Sequence, residues 1–344
     1  MTRPFFAPRT RFFSRSLRSF LCLALLSLGS CSKSCKNGNQ ALSEDLDLVP
    51  SNTSVINVIH VQKILQSHIG IELAKIKSQD PVLQTKYEEF VKKCGIDPLK
   101  NVDVIFNAWG PRIEKDPTDG LMILRGKFSE KEVLACLDAY KEDVGSRVSA
   151  DSHGYTVHEL READGKAKVS YVLPTGKDLI IIGKRSEVEQ SLSIRDKKVN
   201  SAKTYQLLNQ LMTRASTSDP AMFGVMIVSD EQAQKVKNLV NRSVALDTSL
   251  KSVSWSLVSK ENAEFKLQLD MANQDESTKA AQVTNQQLDE LKKLPQLQML
   301  GFTSFINLIR VEAKKESVVV DININQSQID DLKTRLIGIK NLKE

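Results

Sequence analysis

Val318-Val319-Val320-Asp321-Ile322-Asn323-Ile324 is the run that decides the fold. In an extended strand Val318, Val320, Ile322 and Ile324 fall on one face, and Val319, Asp321 and Asn323 on the other. Phe265, Leu267 and Leu269 alternate with Lys266, Gln268 and Asp270 in the same way. A strand with one apolar and one wetter face belongs to an antiparallel sheet, because parallel strands are covered on both sides. The expected class is therefore α+β: a mainly antiparallel sheet covered by helices on one face.

Outward from that run, strands hand over to helices at recurring punctuation. Ser129-Glu130-Lys131-Glu132 has the spacing of a capping box, with a strand before it and a helix after it. Ser186-Glu187-Val188-Glu189, Ser229-Asp230-Glu231-Gln232, Asn273-Gln274-Asp275-Glu276 and, more loosely, Ser327-Gln328-Ile329-Asp330 occupy the same place after other strands. Capping accounts for these serines without a catalytic role. A helix is predicted to end at Cys94, with Gly95 as its C-cap and Asp97-Pro98 blocking continuation.

The two halves share an element order. Pro50 precedes Val55 by five residues, as Pro220 precedes Val225, and each pair introduces a strand and then a helix. Leu99-Lys100-Asn101-Val102 and Leu250-Lys251-Ser252-Val253 open matching strands. The reading is a duplication: one α+β lobe over 49–200 and a second over 201–344, dividing near 196–218. A cleft between such lobes would be a natural binding place.

Residues 1–30 stand apart. Arg3, Arg9, Arg11, Arg15 and Arg18, with no acidic residue, precede the apolar run from Phe20 to Leu28. That order describes a signal peptide, and the run is too short to span a bilayer. Its end, Leu28-Gly29-Ser30-Cys31, resembles the lipobox of bacterial lipoproteins. The resemblance implies cleavage before Cys31, diacylglycerol on its thiol and an acyl chain such as palmitate on its amine. It implies a cell-envelope location held to a membrane by those chains, and Ser32 leans toward the outer membrane facing the periplasm. Residues 31–48 are polar and aperiodic, which suits a flexible tether. Gly95-Ile96-Asp97-Pro98 followed by Val102-Asp103 resembles a helix-to-strand junction of bacterial envelope proteins built from strand–helix repeats, a likeness that implies no activity.

The formal charge of +6 suggests a nucleic-acid partner only at first sight. Without the five leader arginines, 43 basic residues face 42 acidic ones, a net charge of +1. No basic patch is interleaved with aromatics, so nucleic acid is not expected as a partner. Of the five cysteines, Cys22 leaves with the leader and Cys35 lies in the tether. Cys94 and Cys136 read either as a disulfide or as two reduced, packed thiols.

Catalytic signatures are missing from the sequence. There is no Gly-x-Ser-x-Gly elbow, phosphate loop or His-Glu-x-x-His helix. His60, His68, His153 and His158 make no ligand pattern and read as surface or partly buried residues; His153 and His158 point to opposite faces. Trp109 and Trp255 read as packing residues, and the loop holding Asp116 and Asp119 as solvated. No metal or cofactor is expected. The expected function is that of a non-enzymatic binding or structural module, with another envelope protein or a lipid as partner. A lipid or lipoprotein carrier with an apolar sheet concavity is the alternative, and an enzyme is third.

Overall fold

The computed structural model describes residues 44–68, 70, 71, 74, 81–110, 120–140, 146–161, 170–174, 178–233 and 250–341. The leader, Cys31, Cys35 and the loop with Asp116 and Asp119 lie outside them.

The first half runs β1 (Val55–His60), α1 (Val61–Gln66), α2 (Pro81–Cys94), α3 (Pro98–Asn101), β2 (Val102–Trp109), β3 (Gly120–Gly126) and α4 (Glu130–Ala139). It continues through β4 (Ser146–Ser152), β5 (Tyr155–Arg161), β6 (Ser170–Pro174), β7 (Leu179–Gly183) and α5 (Arg185–Arg195). A 3-10 turn (Ala202–Thr204) and α6 (Gln206–Ser216) lead into β8 (Met222–Ile227), β9 (Ser252–Ser259) and β10 (Ala263–Asp270). The chain ends with α7 (Gln274–Lys292), α8 (Pro295–Met299), α9 (Thr303–Ile306), β11 (Ile309–Lys314), β12 (Ser317–Ile324) and α10 (Gln326–Asn341).

The twelve strands among the described residues form one sheet, in the order β11-β12-β10-β9-β8-β1-β2-β3-β7-β6-β5-β4. Every neighbouring pair is antiparallel. From the centre outward, β1-β2-β3-β7-β6 in the first half has the same order as β8-β9-β10-β12-β11 in the second. The β4–β5 hairpin is an addition at the far edge of the first half. The residue landmarks do not follow this likeness. Val55 pairs with Trp109, whereas Val225 pairs with Ser254. Matching Leu99 to Leu250 would carry Trp109 to Lys260, six positions from Ser254, so the two landmark pairs cannot both mark equivalent positions.

The halves do not face each other across a cleft. β1 pairs with β8, setting Ile56 opposite Val225 and Val58 opposite Phe223. These four residues are buried in one cluster. The segment expected to divide the halves covers that junction instead, for Leu208, Leu211 and Met212 of α6 enter the same cluster beside Val188 and Leu192 of α5. In the first half helices also cover the opposite face, where Ile105, Leu124 and Ile180 pack with Val133 of α4 and Leu99 of α3. The uninterrupted apolar run Leu179-Ile180-Ile181-Ile182 is the signature of such two-sided burial. In the second half α7 covers one face, packing Ala280 and Ala281 against Val311 and Val318. The other face carries Lys266, Gln268, Arg310 and Asp321 around a buried Val319.

The tether is shorter than its composition suggests. Asp45, Leu46, Leu48 and Val49 are buried, and the last three belong to the central cluster. The amide of Ala202 donates to the Val49 carbonyl (2.7 Å), and Pro50 bridges Ser201. Residues 44–50 thus form a strap across the junction, whose apolar positions are too few for a periodic signal.

Caps form where the spacing places them at Ser129, Ser229 and Asn273. Two differ. Helix α5 starts two residues early, leaving Ser186 inside its first turn and Lys184 as a cap without a side-chain bond. Helix α10 is capped by Asn325, which exchanges hydrogen bonds with Gln328 in place of the Ser327 and Asp330 pair. Gly95 takes φ +68°, the left-handed C-cap expected of it.

Candidate functional site

The second half presents its polar face beside α6, and three strands build it. Ser252, Ser254 and Ser256 alternate along β9, Gln268 and Asp270 stand opposite on β10, and Ser317 opens β12. Asp270 is the hub. The Arg214 guanidinium grips it with two bonds (2.6 and 3.2 Å) and donates to Ser254 Oγ (3.1 Å). Ser252 and Ser317 donate to its two oxygens (2.5 and 2.8 Å), and Gln268 Nε2 donates to Oδ1 (3.1 Å). Partial burial alone would raise the Asp270 pKa, but the bonds from Arg214, Ser252 and Ser317 hold it below the usual carboxylate range. The serine row lets α6 lie close to β9, and its hydroxyls are buried beneath the helix.

Beside this network lies an open groove of about 650 Å³ lined by Lys203, Thr204, Gln206, Asn209, Gln210, Thr213 and Arg214. Its two cations are already engaged, Lys203 by Asp47 (2.7 Å) and Arg214 by Asp270. Beyond the groove Lys266, Arg310 and Asn323 are exposed. Lys266 and Arg310 flank Asp321 across three strands, so charges alternate along that row.

The strap carries the other buried charge. Asp45 is 1% exposed and receives Arg125 Nε at 2.5 Å, with Glu44 3.6 Å from the same guanidinium. Burial pushes the Asp45 carboxyl up to about 6 against the pull of Arg125.

The cysteines and histidines take these places. Cys94, the last residue of α2, is bonded to Cys136 of α4, tying together two helices on one face. His158 is buried, not superficial: burial and then the Arg147 charge lower its pKa, Ser149 Oγ lies 3.0 Å from its Nδ1, and its Nε2 is buried without a partner. His153 meets Asp196 on the other side of the sheet (2.9 Å). His60 stacks on Phe223, and burial, helped by Lys63, pushes it down to about 4. Ser149 and His158 stand on the paired strands β4 and β5, and the nearby acid, Asp138, bonds to Arg147. Among the described residues no group of three or more His, Cys, Asp or Glu is placed to hold a metal. No described helix is long and apolar enough to cross a membrane.

No family model matches the chain, and no curated protein matches it in sequence. A solved structure described as "Structure of crystal form I of TP0453" is similar over 84% of this chain and 97% of its own, with 11% sequence identity and a TM-score of 0.45.

The Asp270 network escaped the sequence reading, though Ser252-x-Ser254-x-Ser256 is a legible sign of a polar strand face under a close helix. Arg214 lies 56 residues from Asp270 and had no local signal.

Proposed function

We propose that this chain is a membrane-anchored envelope lipoprotein whose body is a non-enzymatic binding module for another envelope protein. The polar face around Asp270, Lys266, Asp321 and Arg310 carries the reading. It lies on a packed sheet core, and the Arg214 bonds fix its Asp270 corner. The lipobox-like Leu28-Gly29-Ser30-Cys31 supplies the anchor. The buried strap supports it too, because a chain leaving Cys31 enters the protein core by Asp45.

A second reading, a lipid or lipoprotein carrier, has one observation in its favour. On the opposite face a row of nine apolar residues crosses the sheet: Ile309, Ile322, Phe265, Leu257, Met222, Ile59, Ile105, Leu124 and Ile180. The first six are only half-buried.

Two measurements test these readings. Wild-type protein should partition into detergent and Cys31→Ser should not be processed to a detergent-partitioning form. Photo-crosslinkers at Lys266 and Asn323 should form adducts with one protein in living cells. Lipid adducts at Leu257 and Phe265, with none at the polar face, would reverse the order of the two readings.

A further inference from the structure

Residues 291–299, where α7 turns into α8, put apolar side chains into water. Leu291 is 41% exposed, Leu294 43% and Met299 88%. The turn is held by its own hydrogen bonds. Leu294 N donates to the Leu291 carbonyl (3.1 Å), Leu297 N to the Leu294 carbonyl (3.0 Å), and Gln298 Nε2 to the Lys292 carbonyl (2.9 Å). Arg335 of α10 closes it by donating to the Leu300 carbonyl (3.0 Å). Presenting several apolar groups on a bonded turn marks a contact surface. Counted from the end of α7, over 289–299, Asp289 and Glu290 balance Lys292 and Lys293, so the region has no net charge.

We propose that this turn is a second membrane contact, in which Leu291, Leu294 and Met299 enter the boundary between headgroups and acyl chains of the bilayer that holds Cys31. This rests on the anchored reading above. Glu44 lies thirteen positions after Cys31, a reach of at most about 45 Å. The apolar row sets Leu124, beside the strap's partner Arg125, seven strand spacings from Ile309, which follows the turn and α9. That is about 34 Å, so the tether's reach exceeds the span of the sheet between the strap's partner strand and the strand that follows the turn. Because the turn is neutral, its occupant is zwitterionic lipid and insertion is driven by apolar burial.

The test uses the full mature chain with Cys31→Ser, which has no acyl chain, floated with vesicles of phosphatidylethanolamine and phosphatidylcholine. The protein should float with the vesicles, and high salt should not release it. Leu294→Glu with Met299→Glu should lower partitioning about tenfold or more, while Met299→Leu retains it; circular dichroism verifies the fold of each. A parent chain that does not float, or a double glutamate variant that floats equally well, overturns the proposal. Self-association lost in the glutamate variant, without flotation of the parent, would assign the turn to a second copy and also overturn it. Every chain here lacks Cys31, so failure leaves the anchor to be judged separately by detergent partitioning of the wild type.

Discussion

The indole of Trp255 closes over Gly224 on the neighbouring strand, filling the space a side chain would take there. Trp109 stands over Gly120 in the same way in the first half. A Cβ at Gly224 would collide with the indole and with the Ile56 carbonyl. Gly224→Ala should therefore cost about 1–3 kcal/mol, read by denaturant unfolding. In a Trp255→Ala background the penalty should shrink, and equal penalties in both backgrounds would reject the packing account.

The strap makes stability depend on pH. Asp45 has its folded pKa raised from 3.8 to about 6. A raised carboxyl contributes stability that is complete below the unfolded value and is lost as pH rises through the folded one. Between pH 4 and 6 the loss from this group should reach up to about 3 kcal/mol. Asp45→Asn should flatten that part of the profile, and parallel profiles for variant and wild type would contradict it.

Asp270 should act with the opposite sign. Arg214 and two serines depress its pKa, so its contribution is present above the unfolded carboxylate range and fades as pH falls through the folded value. Asp270→Ala leaves Arg214 and Ser252 without their acceptor and should cost about 1–3 kcal/mol at neutral pH. Unfolding titrations should show the cost shrinking in acid.

Cys94 and Cys136 close a loop of 42 residues. On the chain-entropy model that bond stabilises the folded state by about 4 kcal/mol. Non-reducing peptide mapping should find the linked pair, and reduction should lower the unfolding midpoint. Two native thiols open to alkylation would remove the bond from the account.

Local rules made much of the fold readable. The alternation of Val318–Ile324 assigned the faces of β12 correctly, because one helix covers one side. The caps at Ser129 and Asn273 formed because their partners lie three residues away. What failed was nonlocal. Nothing near Ile56 announces that Val225 will be its neighbour. The strap hid because Leu46, Leu48 and Val49 are too short a run to show a period. The Asp270 hub hid because its ligands come from α6, β9 and β12, each supplying one ordinary polar residue.

The β1–β8 seam also orders events in time. A chain made from its N-terminus delivers Val55–His60 roughly 165 residues before Met222–Ile227, its partner on one side. Until then β1 is an open edge strand, and Ile56 and Val58 lack the helix α6 that seals them. High contact order makes that wait slow and aggregation-prone. A chain truncated before Met222 should therefore aggregate or be degraded rather than accumulate as a folded half.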